Sequence, residues 1–467
     1  MPHTAHLGAD YHVLTNEEKR EHRKEIGEVV LRPLRHTGIA GKIWIGALLI
    51  IFIFGCYAYY LQLKNGLKVT AMRDYASWGL YISNFIFFVA ISLVGALISS
   101  VLRLTNFDWY RPITRIAEII AVSAILFAGL IIIVDMGRPD RVLNLFIHGR
   151  IQSPIVWDVI VVTTYLVTSL LFLYMPLLPG IALCRDKLTD KPKWQRWIYK
   201  VLALGWNGSH DQWKIMKRSI AIICILIIPL AISIHTVTAW LFATTLRPGW
   251  DSTNFGPYFV AGAFQAGTAC VIIAMFVFRK AYNLQKYLTE VHFNQMGKLL
   301  VFLCLIYAYF NLNEYLVPAY KMRGAEGKLL NDLFTGHYAP LYWSVQIFGM
   351  ALPAVLLLWK KARRPVPIAI IALFVVVAAW FKRYLIVTPI MLHPYTPIQN
   401  VPANWAVYFP SWVEMAIVAA SLAGVLLIIT IFSKFFPIIS VWETLENEGI
   451  ELEEMDNPET EPETAKI

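Results

Sequence analysis

Ten stretches of about 20 mostly apolar residues recur along the chain, each long enough to cross the hydrocarbon core of a bilayer as a helix. They fall at 42–63, 78–102, 112–135, 155–179, 219–246, 258–278, 299–320, 342–359, 366–388 and 412–433. Because no water reaches that core, such a segment must satisfy its backbone groups internally. The expected fold is therefore an all-α polytopic membrane protein with about ten transmembrane helices. Composition agrees: of 467 residues only 15% are charged, whereas a soluble chain carries about a quarter.

Three regions follow from the pattern. Residues 1–41 form a polar arm of mixed charge ("NEEKREHRKEIGEVVLRPLRH"), without the short apolar core of a cleavable signal peptide. Residues 42–433 form the membrane domain. Residues 434–467 end in an acidic tail ("ENEGIELEEMDNPETEPETAKI") whose composition predicts disorder or a bound partner.

Lys and Arg set the orientation. An even number of spans puts both termini on one side, and that side carries 29 of the 41 basic residues. The positive-inside rule makes it the cytoplasm. The net charge of +10 then needs no nucleic acid to explain it. In this count Lys382 and Arg383 are taken as charges near a helix end on the opposite side. The five cysteines are scattered without metal-ligand spacing, so small buried hydrophobes are the expected reading.

On the outer side the loop "VDMGRPDRVLNLFIHG" (Val134–Gly149) concentrates Asp135, Arg138, Asp140, Arg141 and His148 at one membrane edge. Gly137 and Pro139 end the third span there. Asp158 opens the fourth span. His235 lies about 25 Å along the fifth, in a core about 30 Å thick. Glu314 lies in the outer half of the seventh span, Asp251 and Arg247 follow the fifth, and Arg73 precedes the second. Glu118 alone is near the inner side. Single charges at helix ends are commonly solvated or snorkelling. That reading is weaker for Asp158, His235 and Glu314, because ionisable groups inside spans are costly and usually mark ion, proton or ligand routes.

A cluster of His, Asp and Arg below the outer surface suits a lipid-soluble molecule with a polar headgroup. A quinone needs partners for its two oxygens, and quinol oxidation releases two protons that need a base. Histidine serves this near neutral pH, as does a buried carboxylate. Only His235 of the 11 histidines lies deep in a span, so no bis-His haem site is expected. The cysteines offer no iron–sulfur site, and electrons must leave through a partner.

Three ordered motifs, "WGLYISNFIFFVAIS" (Trp78–Ser92), "VDMGRPDRVLNLF" and "SPIVWD" (Ser153–Asp158), resemble the NrfD/PsrC family of membrane subunits. Ten spans, the arm and the tail look most like the C subunit of bacterial alternative complex III (ActC). His148, Asp158, His235 and Asp251 favour C over F. The resemblance implies two four-helix bundles, 78–246 with the quinol site and 258–388, flanked by two peripheral helices. It implies quinol oxidation, with menaquinone a candidate, in a bacterial inner membrane. Its implied partners are a periplasmic iron–sulfur subunit, multihaem cytochromes, a second NrfD-like subunit and a terminal oxidase. The roles expected on this basis are quinol binding for His148, Asp158, His235 and Asp251, a proton path for Glu118, Asp135 and Glu314, and partner docking for Arg138, Arg141 and Arg73. Two other classes stay open: a secondary transporter or proton channel, and a structural anchor without its own quinone site. A transporter places its determinants near the midplane, whereas most of these lie near one face.

Overall fold

The computed structural model describes residues 26–29, 31–35, 37–105, 111–396 and 398–447. All ten expected spans are helices: α1 (Ile39–Asn65), α2 (Leu80–Leu104), α3 (Arg111–Asp135), α4 (Pro154–Lys187), α5 (His210–Ala243), α6 (Phe255–Ala281), α7 (Glu290–Lys321), α8 (Ala339–Leu356), α9 (Pro365–Leu392) and α10 (Trp412–Phe435). No strand occurs among the described residues. The protein is a multi-pass integral membrane protein.

Where bounds differ from expectation, polar residues extend the helix beyond the apolar run. α5 begins at His210 rather than 219, where the Ser209 hydroxyl accepts from the Gln212 amide and caps the first turn. Helix α7 begins at Glu290 rather than 299, with Thr289 and His292 forming a reciprocal cap.

The helices α2, α3, α4 and α5 pack successively and close into a ring, and α6, α7, α8 and α9 do the same. The rings meet where α2 packs on α6 and α9, and α5 on α6. Helix α2 is almost wholly buried, so it forms the spine of the molecule. Its Gly95 lies so close to α3 that an added Cβ would stand 2.0 Å from the Ala117 carbonyl oxygen. Small residues of this kind let helices approach in lipid, where burial of apolar surface gives no drive. Helices α1 and α10 pair with each other outside the rings, and α10 also rests on α3. Most of the α1 surface faces outward and is apolar, as a lipid-facing helix requires.

One feature overturns an expectation. Lys382 and Arg383 are not helix-end charges: α9 continues to Leu392, and both side chains are only 1% exposed. The acidic run expected to be disordered or partner-bound lies almost wholly outside the described residues, but the segment that leads into it is ordered. Val441–Asn447 is a short helix whose Trp442, Glu443 and Leu445 are buried. It docks against the ends of α3 and α4, where the Trp442 indole donates to the Pro176 carbonyl at 3.0 Å. Residues 448–467, and 1–25 of the arm, lie outside the described residues. The described part of the arm lies at the same face as the end of α10, since Lys434 reaches the Pro33 carbonyl at 3.4 Å. That face is called the termini face below, and the opposite one the GRPDR face.

Candidate functional site

The first ring brings Asp158 and α5 together near the GRPDR face. Asp158 is the fifth residue of α4 and 3% exposed. Its Oδ1 accepts a 2.7 Å hydrogen bond from the Thr238 hydroxyl of α5. His235 lies one turn below Thr238 on the same helix face and is 2% exposed. Its Nδ1 is 3.3 Å from the Ala231 carbonyl oxygen. A carbonyl only accepts, so Nδ1 is the donor in this contact, and in the neutral form of that tautomer Nε2 is an acceptor. That Nε2 has no partner among the described residues.

Phe242 lies two turns above His235 on α5 and begins an aromatic roof. It meets Trp250 with ring centroids 5.0 Å apart, and Trp250 stacks on Trp78 at 6.0 Å. The Trp250 indole is pinned by a 2.9 Å bond to the Ile386 carbonyl of α9. The "W" of the Trp78 motif thus closes the seam between rings on this face.

His148 and Asp251 do not join this pair. His148 ends the short helix Asn144–Ile147 and is exposed. Asp251 is also exposed, 3.3 Å from the Tyr395 hydroxyl. Burial, then the Asp251 charge, push the Tyr395 phenol up to about 12. Asp135 ends α3 with Oδ1 buried and without a partner among the described residues. Nearby, the Gln62 amide donates to the Val134 carbonyl at 2.9 Å and accepts from the Tyr81 hydroxyl at 2.6 Å.

The arginines divide. Arg138 is paired in a fork with Asp140, its side chain 63% exposed, and its hydrogen bond holds the Asp140 carboxyl below the usual range. Exposed pairs of this kind contribute little stability. Arg141 is exposed. Arg73 is spent on its own loop, donating to the Thr70 and Met72 carbonyls at 2.9 and 2.6 Å and lying over Trp405. Gly137 adopts a positive φ of 66°, so the turn after α3 favours glycine.

At the termini face Glu118 accepts from the Ser99 hydroxyl at 2.6 Å and pairs with Arg103 at 3.0 Å. Arg103 also pairs with Glu443 from the short C-terminal helix. Arg115 donates to the Pro176 and Pro437 carbonyls at 2.9 and 3.1 Å. Glu118 is thereby held in a buried ionic cluster that the C-terminal segment covers.

The second ring holds a polar core that sequence reasoning largely missed. Glu314 lies 2.7 and 2.9 Å from the Ser252 hydroxyl and accepts from Asn254 at 3.1 Å. Lys382 donates to Asn311 Oδ1 at 2.9 Å and to the Tyr315 hydroxyl at 3.2 Å. Its ammonium lies 4.8 to 5.7 Å from the ring centroids of Tyr315, Tyr342 and Tyr258, a cation–π cage. Asn311 donates onward to Gln346 at 3.0 Å, just before a π-helical turn at Ile347–Ala351. A cavity of about 30 Å³ opens beside this core, lined by Glu314, Tyr258, Tyr315, Pro318, Leu329 and Ile386 among others. It has room for one or two waters. The missed signal was "WFKRY", two basic residues followed by nine further residues of the same helix.

Among the described residues no group of three or more His, Cys, Asp or Glu is arranged to hold a metal ion. The arrangement offers proton acceptors and hydrogen-bond partners for a polar headgroup arriving from lipid.

Known proteins share this sequence pattern. The family described as NrfD, polysulphide reductase, matches residues 68–394. A Halobacterium salinarum protein, named as a membrane subunit of dimethyl sulfoxide reductase, is 28% identical over 71% of this chain and 73% of its own. A selenate reductase subunit of Mesobacillus selenatarsenatis is 23% identical over 76% of this chain and 83% of its own. The integral membrane subunit of menaquinone reductase from Nitratidesulfovibrio vulgaris is 24% identical, covering 85% of this chain and 91% of its own.

Proposed function

The chain belongs to the NrfD family of polysulphide-reductase-type membrane subunits, and from that premise we propose that it oxidises quinol within a respiratory complex of the alternative complex III kind. Membership makes it part of a quinone-linked oxidoreductase complex, which supplies catalytic and electron-transfer partners. The finer reading rests on one observation: a buried His235 with a bare Nε2, one turn from the Thr238–Asp158 hydrogen bond, near one membrane face.

In this reading a quinol hydroxyl donates to His235 Nε2, and Asp158 takes the second proton or binds the second oxygen. The two electrons pass to an iron–sulfur partner docked on the GRPDR face, with exposed Arg138 and Arg141 as its contacts. His148 and Asp251, exposed on that face, relay protons to water. Arg73 orders the docking surface. This face is the periplasmic one, the termini are cytoplasmic, and the membrane is a bacterial inner membrane. Menaquinone is the preferred substrate, in keeping with the relative named menaquinone reductase. That same name favours a second reading, in which the site runs in reverse and reduces the quinone. Glu118, Asp135 and Glu314 are proposed as stations of a proton route.

Photoaffinity labelling tests where the headgroup binds. A menaquinone analogue with a photoreactive headgroup should label α4 and α5 around Asp158 and His235 in the intact complex. Labelling confined to the cavity beside Glu314 would move the site to the second ring.

A further inference from the structure

Between α4 and α5 the chain forms a short helix, Lys193–Leu202, with the sequence "KWQRWIYKVL". It has three distinct faces. Gln195 and Tyr199, one turn apart, are buried. The Gln195 amide donates to the Tyr199 hydroxyl, which donates to the Phe435 carbonyl at the end of α10, each at 2.8 Å. Trp194, Trp197 and Val201 make the second face, and Lys193, Arg196 and Lys200 the third, each set spaced i, i+3, i+7. All six are exposed, Trp197 to 65%.

The anchors of this helix fix its depth. Helix α4 has 34 residues and is about 51 Å long, so it overshoots a hydrocarbon core about 30 Å thick. Tyr174 stands about 30 Å along α4 from Pro154, and its hydroxyl donates to the Leu202 carbonyl at one end of the short helix. At the other end Trp194 packs on Phe435 with ring centroids 5.7 Å apart. Phe435 is the last residue of α10, whose 24 residues span about 36 Å. Both ends therefore lie where the core gives way to headgroups. The side is the termini face, since the Lys191 ammonium donates to the Leu34 carbonyl of the arm at 2.8 Å.

Two tryptophans on an exposed face are costly to leave in water, and tryptophan favours the headgroup level. Three cations border that face, and the helix carries no acid of its own. The flanking chain adds exposed Lys187, Lys214 and Arg218 against Asp190 and Asp211, while Asp186 is paired with Arg185. We propose that Lys193–Leu202 is an interfacial anchor for anionic phospholipid. Trp194, Trp197 and Val201 sit among the upper acyl chains of the termini-side leaflet, and Lys193, Arg196 and Lys200 hold the phosphates. The anchor ties the α4–α5 connection, and through Lys191 the arm, to the bilayer. This assignment stands independently of the quinol reading.

The test uses the intact complex in nanodiscs of equal parts phosphatidylglycerol and phosphatidylcholine. The photoreactive residue p-benzoylphenylalanine is placed at position 197, and the adducts are identified by mass. The proposal predicts lipid adducts in which phosphatidylglycerol exceeds phosphatidylcholine by about tenfold or more. Adding Lys193→Gln, Arg196→Gln and Lys200→Gln, all at exposed positions, should keep the lipid adducts but bring the two lipids to near-equal yield. Adducts to another protein subunit, or none to lipid, would overturn the interfacial placement. Equal yields before the three substitutions, or an unchanged preference after them, would overturn the role of the basic face.

Discussion

At the scale of single residues, the useful signal was an ionisable group inside an apolar run. Asp158, His235 and Glu314 were legible for that reason, and each is buried with its acceptor or donor atoms aimed inward. The Asp158 partner was not legible, since a threonine in a helix gives no hint of the helix it faces. Replacing that threonine is informative. Thr238→Val strips the described donor from a buried carboxylate and should cost about 1–3 kcal/mol. Thr238→Ser should restore most of it, with the thermal midpoint of the complex as the measure. Lys382 and Arg383 were misplaced because the ninth span was read to end at 388, which put the pair near a helix end. Their depth follows from "YLIVTPIML", which continues the same helix.

At the scale of elements, the ten spans could be read from length and hydropathy alone, because a bilayer fixes both. The polar extensions of α5 and α7 and the docked C-terminal helix could not. The extensions rest on local caps, and the docked helix on a tertiary partner, Arg103, which pairs with both Glu118 and Glu443. That cluster yields two expectations. Arg103→Met removes the guanidinium that pairs with both buried carboxylates and should destabilise the complex by about 3–5 kcal/mol, read as the loss of thermal midpoint. Glu118→Gln keeps its shape and its bond from Ser99. It should leave quinol oxidation intact while lowering any coupled proton uptake, as followed with a pH indicator; unchanged uptake would make Glu118 a purely structural acid.

At the scale of the whole molecule, two four-helix rings meet along α2, α5, α6 and α9, with the candidate redox site in one and the buried cations in the other. The resemblance carried by three motifs anticipated this arrangement, whereas periodicity alone gave only the number of helices. Neither could say which polar residues meet, since ring closure brings together residues far apart in sequence. The proposed orientation rests on the 29 basic residues assigned to the termini side. Cysteines introduced at 140–152 should react with an impermeant maleimide from outside, and those at 185–200 should not. The reverse labelling would place the GRPDR face in the cytoplasm.

The most direct test of the central claim is quinol turnover by assembled complexes carrying His235→Ala and Asp158→Asn together. Losing a general base removes about a hundredfold or more from the rate. The account predicts a fall of that order in turnover, with the set of assembled partners and their spectra unchanged. Turnover near that of the unaltered complex would contradict it and leave this chain a structural anchor or place its quinone site elsewhere.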